Sequence, residues 1–148
     1  MTSPAHDKAI AVAGGLDITV VTPRGRVAHR AVGEITARGT KGEFGVLPGH
    51  IPILTMLDTG VLILDGVGGR AVYAHGPGYL EVGANGKVEV LVEQTMPAAS
   101  VDVAAAKTEL ETSEVEMKNI GATDDAGWKN LRARRAWALA QLEAHARA

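Results

Sequence analysis

The stretch GEFGVLPGHIPILTML, residues 42–57, sets a carboxylate, Glu43, seven residues before an imidazole, His50, among three glycines and two prolines. Groups of these two types can exchange a proton, and glycine-rich backbone lets a ligand approach closely. A lone carboxylate and a lone histidine nevertheless specify no reaction. No G-x-S-x-G elbow accompanies them, and the Ser, His and Asp residues follow no triad pattern. The histidines His6, His29, His50, His75 and His145 include no H-x-H or H-x-x-x-H pair, so neither metal ligation nor a bound cofactor is expected. GTKGEFG and DGVGGRA lack the order of a phosphate loop or a dinucleotide fingerprint, and neither opens a helix; their glycines read as turn residues. An unrecognised catalytic site and a surface shaped for another protein are both consistent with residues 42–57 taken alone. Pro48, Gly49 and Pro52 favour the surface, because backbone fixed in advance loses little entropy when a partner docks.

The elements that position these residues follow from composition and period. The chain has 148 residues, enough for a domain with a sizeable core. Only 3% of them are aromatic, so Val, Ile, Leu and Ala must fill the interior. A formal net charge of -2 gives no global reason to bind nucleic acid or lipid directly. The absence of cysteine excludes a disulfide framework and thiolate ligation and fits a reducing cytoplasm. MTSPAHDKAIAVAGG carries no basic segment followed by an apolar run, and no stretch reaches the roughly 18 apolar residues of a membrane span. The expectation is a soluble protein, or one held peripherally by a partner, with residues 1–15 as an extension.

From Leu16 to Val92, short runs rich in Val, Ile and Leu alternate with Gly, Pro, Asn and Asp at the spacing of about ten residues typical of a small all-β domain. LDITVV, RVAHRAV, EITAR, EFGV, GVLIL, RAVYAH, GYLEV and KVEVLV are the strands expected. Asn85-Gly86 suits the two positive-φ positions of a type I′ turn, flanked by Val82, Val88 and Val90 in alternation with Glu81, Lys87 and Glu89. Half-buried strands of this kind predict a sandwich or flattened barrel.

After Pro97 the pattern changes. Ser100 reads as an N-cap, and the following Gly- and Pro-free segment, with Asp102 in its first turn and an apolar stripe of Val103, Ala106, Leu110 and Met117, reads as a helix. IGATDDAG is a turn, and WKNLRARRAWALAQLEAHARA a second helix whose Ala133, Ala136, Ala140 and Ala144 would let two helix backbones approach closely. The fold class expected is therefore α+β: an antiparallel β-sandwich over residues 16–98, then an antiparallel two-helix hairpin over 99–148, too thin to be stable alone.

With these elements in place, GEFGVLPGHIPILTMLDTGVLIL, LDITVVTPRGRV, GPGYLEV, KVEVLVEQ and ALAQLE closely resemble, in order, the epsilon subunit of bacterial and chloroplast F-type ATP synthases, the counterpart of the mitochondrial delta subunit. The resemblance spans roughly residues 16–146. It implies a non-catalytic rotor subunit of the central stalk, peripheral on the cytoplasmic face of the bacterial plasma membrane, which couples proton flow through the ring of c subunits to ATP synthesis. It places Glu43 against the polar loops of the c ring, and His50 and Thr55 at the contact with the gamma subunit. The hairpin would be regulatory, folded against the sandwich or extended along gamma, where Lys129, Arg132, Arg134 and Arg135 suit an acidic loop on the catalytic beta subunits of the alpha/beta assembly.

Some members of this family bind ATP through an Ile or Leu-Asp-x-x-Arg-Ala motif opening the first helix and arginines on the second. Here the motif arginine is Ala105, although Asp102 is retained, and Trp137 and Gln141 stand at the arginine positions. No nucleotide binding is therefore expected. Two rival classes remain, a small cupin-like enzyme and a free-standing protein-binding adaptor. The first would need clustered histidine ligands and a helix-free end; the second would fail to co-purify with gamma.

Overall fold

The computed structural model describes residues 15–148; the expected extension lies outside them apart from Gly15. Among the described residues ten strands come first: β1 (Leu16–Thr22), β2 (Gly25–Val32), β3 (Glu34–Gly39), β4 (Gly42–Val46), β5 (Ile53–Leu57), β6 (Gly60–Gly66), β7 (Gly69–His75), β8 (Gly78–Val82), β9 (Lys87–Val92) and β10 (Thr95–Pro97). Two helices follow, α1 (Val103–Asn119) and α2 (Asp125–Arg147). The architecture is the expected α+β one, a β-sandwich and then an antiparallel helical hairpin.

The strand order is β10-β7-β6-β3-β5-β8-β9-β1-β2, with β4 on the free side of β3. One Cα pair, Gly39 with Leu57, joins β3 to β5, and there the sheet folds over to make two layers. Inward side chains of both layers, among them Ile18, Val20, Ile35, Leu62, Leu64, Leu80 and Val90, form the main core. Adjacent strands are antiparallel except β1 and β9, which run parallel from Asp17 opposite Lys87 to Val21 opposite Leu91. Strands this far apart in sequence meet through the whole intervening domain, a pairing that no local signal encodes.

Close approach fixes one glycine here. At Gly78 a Cβ would lie 1.9 Å from the carbonyl oxygen of Leu91, so only hydrogen fits between β8 and β9. The loop after Val82 does place Asn85 and Gly86 at positive φ, 65° and 73°. It is longer than a two-residue turn, however: Val82 opposes Val88, and Ala84–Gly86 form a turn of 3-10 helix between them.

The hairpin departs from expectation in two details. Asp102, not Ser100, caps α1, its carboxylate accepting from the Ala105 N–H at 3.0 Å, because Ala98–Ser100 are taken up in a 3-10 turn. Asp124 caps α2 in the same way through Gly127, so that helix starts earlier than Trp128 and Gly127 lies inside it.

Along α1 the buried or half-buried side is Val103, Ala106, Leu110, Ser113 and Met117, alternating three and four residues apart. Ser113 completes this stripe because its hydroxyl donates back to the Leu110 carbonyl at 2.9 Å and needs no other partner. α1 packs chiefly on α2, whereas α2 also packs on β6, β7 and the 3-10 turn at Ala98–Ser100. The alanine stripe of α2 therefore serves a different neighbour from the one expected. Ala140 and Ala144 are buried with Val61, Ile63, Val72 and Ala74 of the sheet, with Trp137 alongside, while Ala133 is exposed. Small side chains still permit close approach, but of helix to sheet.

Candidate functional site

Glu43 sits on β4, opposite Arg38 of β3, with its side chain outward. Its carboxylate is held at both oxygens by one guanidinium: Nη1 of Arg147 donates to Oε2 at 2.6 Å and Nη2 to Oε1 at 3.2 Å. Arg147 lies in the last turn of α2 and also donates to Glu143 at 3.2 Å. The Arg147 hydrogen bonds, with its charge and that of Arg38, hold the Glu43 carboxyl below its ordinary value of 4.5. Glu43 is thus an ion-pair anchor for the folded hairpin.

His50 closes a turn of its own. Its backbone N–H donates to the Leu47 carbonyl at 3.0 Å, with Pro48 at the second position and Gly49, at φ 86°, at the third, the geometry of a type II turn. Its imidazole Nδ1 pairs with the Ile51 carbonyl at 2.7 Å. Glu43 and His50 therefore each serve a different partner and are not brought together as an acid and a base. The turn pushes out apolar tips instead: Leu47 and Ile51 are 56% and 71% exposed.

Ile53–Leu57 form strand β5, which the expected strands omit. Ile53 and Leu57 turn into the main core, and Thr55, half-buried, lies on their side of the strand. Leu54 and Met56 point the other way and are 66% and 57% exposed. Cross-strand register carries this apolar face onward: Met56 opposes Tyr79, Tyr79 opposes Leu91, and Leu91 opposes Val21. Together they line a groove of about 520 Å³ with Pro23 and Pro77. A row of large apolar side chains on the outer face of a sheet is the feature that sequence reading missed. Its signal was present in ILTML, where both faces are apolar and the period-2 alternation disappears.

The four basic residues in the first half of α2, Lys129, Arg132, Arg134 and Arg135, divide between two tasks. Arg134 bridges the helices, donating to Glu109 at 2.5 Å and Glu116 at 2.7 Å, and these two bonds raise its pKa further. Arg135 approaches Glu114 at 3.8 Å. Lys129 and Arg132 are exposed. At the other end of the hairpin Asp102 is occupied as the N-cap and Ala105 is exposed. Trp137 packs against the sheet, and Gln141 donates to the Trp137 carbonyl at 3.4 Å.

Among the described residues no three His, Cys, Asp or Glu side chains converge as metal ligands would. His29 meets Asp17 at 2.8 Å. His75 is wholly buried, with Nδ1 on the Gly76 carbonyl at 3.0 Å and Nε2 without a partner among the described residues. Burial holds its pKa below the ordinary 6.5.

The fold and its surfaces define a small sandwich protein with an exposed apolar sheet face and an ion-paired, folded helical hairpin. Residues 6–98 match the family model described as ATP synthase, Delta/Epsilon chain, beta-sandwich domain. A Geobacter protein named ATP synthase epsilon chain is 44% identical over 117 residues, covering 79% of this chain and 81% of that one. Proteins of the same name from Geobacter metallireducens and Myxococcus xanthus are 38% and 35% identical, over 86% and 74% of this chain and 91% and 79% of their own lengths. Among solved structures, a chain of the Euglena gracilis mitochondrial ATP synthase (OSCP/F1/c-ring) superposes with a TM-score of 0.77 at 23% identity, over 90% of this chain and 82% of that one. A chain of the Tetrahymena thermophila mitochondrial ATP synthase central stalk/c-ring superposes at 0.62 and 21%, over 88% and 96%. These two support the fold. The chain belongs to the delta/epsilon family of ATP synthase, on its bacterial epsilon side, and so is similar to proteins that are subunits of that complex.

Proposed function

We propose that the chain is a non-catalytic rotor subunit of the central stalk of a proton-translocating ATP synthase, coupling rotation of the c ring to ATP synthesis. The observation that carries this reading is the exposed apolar row Leu54, Met56, Tyr79 and Leu91. It offers the gamma subunit a flat, rigid sheet face with aromatic and methionine anchors, a composition enriched at protein interfaces. His50 takes part through the turn that positions Leu47 and Ile51. Thr55 contributes from the inner side of β5, by holding Leu54 and Met56 outward. Glu43, at the edge of the same layered domain, faces the c-ring loops.

The hairpin of residues 99–148 regulates ATP hydrolysis when released, with Lys129 and Arg132 as its readily available cations for the alpha/beta subunits. Arg134 and Arg135 join them only if their pairs within the hairpin separate. No helix among the described residues is long and apolar enough to cross a membrane. Attachment to the cytoplasmic face of the plasma membrane would then run through the c ring. The test is ATP hydrolysis by the complex assembled with the full chain or with residues 1–97. The reading expects faster hydrolysis and retained proton coupling with the shorter chain, and equal hydrolysis would remove the inhibitory role.

A further inference from the structure

The layer formed by β5, β8, β9, β1 and β2 carries charge beside its exposed apolar row. Glu81 of β8 and Glu89 of β9 stand directly opposite each other, two pairs along the ladder from Tyr79 and Leu91 and therefore on the same outer face. Leu54 opposes Glu81 from β5, and Thr19 opposes Glu89 from β1. Both glutamates are exposed, and neither carboxylate has a hydrogen-bond or ion-pair partner among the described residues. Lys87, on the same face two residues along β9, pairs with neither. Like charges set directly opposite on one sheet face lie about 5 Å apart at Cβ and destabilise the sheet. In the free chain, then, Glu81 and Glu89 work against the fold.

A cation placed between the two carboxylates removes their repulsion and is attracted by both. The surroundings select a protein side chain over a free metal ion. No third acidic or histidine ligand joins the pair among the described residues, whereas Leu54, Tyr79 and Leu91 around it are exposed, so that a surface seated on them shields the charges from water. Tyr79, two residues before Glu81 on the same face, also offers a ring on which a guanidinium or ammonium group can rest. We propose that Glu81 and Glu89 recognise one basic side chain of the partner that docks on the apolar row, an arginine or lysine set beside an apolar strip. The inference rests on the gamma-subunit reading above and adds the chemistry of the partner surface. It also accounts for an opposed pair of like charges that the sandwich itself does not need.

The test titrates purified gamma with the full chain and with three variants that each lose one carboxylate charge. Glu81→Gln and Glu89→Gln should each weaken binding by about fivefold at low salt, and the loss should shrink as salt is raised. Glu111→Gln, an equal change of charge at an exposed position on α1, should bind like the unaltered chain. Urea unfolding of the free chains separates recognition from folding. Both face variants should unfold at the wild-type midpoint or above it, because each relieves the opposed charges. A lowered midpoint in either variant, or wild-type affinity in both, would overturn the acid pair as a recognition element. If affinity is unchanged in both while Tyr79→Lys loses it, the apolar face stands as the gamma site without the pair. Gamma that fails to bind the unaltered chain would overturn the gamma reading and this inference together.

Discussion

Leu62 and Ile63 are neighbours on β6 and belong to different cores: Leu62 faces the interior of the sandwich, Ile63 the underside of α2. The first core is complete without the helices, because its members all lie between Leu16 and Val92.

A chain ending at residue 98 is therefore expected to fold cooperatively. It gives back about 1 kcal/mol for each of Val61, Ile63 and Val72 that loses its cover, and binds a hydrophobic dye at the bared strip. Urea unfolding followed by circular dichroism measures this. Absence of a cooperative transition in the fragment would show that the hairpin is part of one core.

His75 predicts a pH dependence. Its folded pKa is held below 6.5 by burial, so below pH 6.5 the unfolded chain binds a proton that the folded chain resists. Stability is then full above 6.5 and falls as pH drops from 6.5 toward the depressed folded value, by up to about 1.4 kcal/mol per pH unit. The charge on Asp58 opposes the depression only as the smallest of the influences on the ring. Urea midpoints at pH 7.5 and 5.5 should differ in the native chain and converge in His75→Gln. An unchanged slope in that variant would assign the effect to other groups.

The sandwich was legible wherever one face is wet. Val82, Val88 and Val90 alternate with charged residues and could be placed directly, and the Asn85-Gly86 signal survived in a longer loop. β5 was not, because Leu54 and Met56 keep its outer face apolar, and β10, three residues ending in Pro97, is too short to carry a period. GVLIL was readable as a strand, but its burial on both sides depends on α2 as the second cover, which the segment does not name. The alanines of α2 announced a close approach and pointed to the other helix, whereas Ala140 and Ala144 meet the sheet, a neighbour that the stripe alone does not specify. The Arg147–Glu43 pair had no sequence signal at all, since contacts across 104 residues depend on how the hairpin lands.

Nucleotide sensing is the third prediction. The resemblance puts Ala105 at the motif arginine of ATP-binding relatives, and Trp137 packs against the sheet. Two missing charge-assisted contacts, at about 1.5–3 kcal/mol each, weaken binding by roughly two to four decades. Calorimetric titration of the isolated chain with MgATP should show no binding below the millimolar range; micromolar affinity would mean that other arginines reach the phosphates.

Affinity for the gamma subunit tests the central claim most directly. Tyr79 lies in the middle of the exposed apolar row, between Met56 and Leu91. Tyr79→Lys would bury a charge there and cost at least about 2 kcal/mol, some thirtyfold in Kd. Val115→Lys serves as the control, being 56% exposed on α1 away from that face. Titration of purified gamma should give a loss of thirtyfold or more for Tyr79→Lys and wild-type affinity for Val115→Lys. Wild-type affinity in Tyr79→Lys would contradict the account.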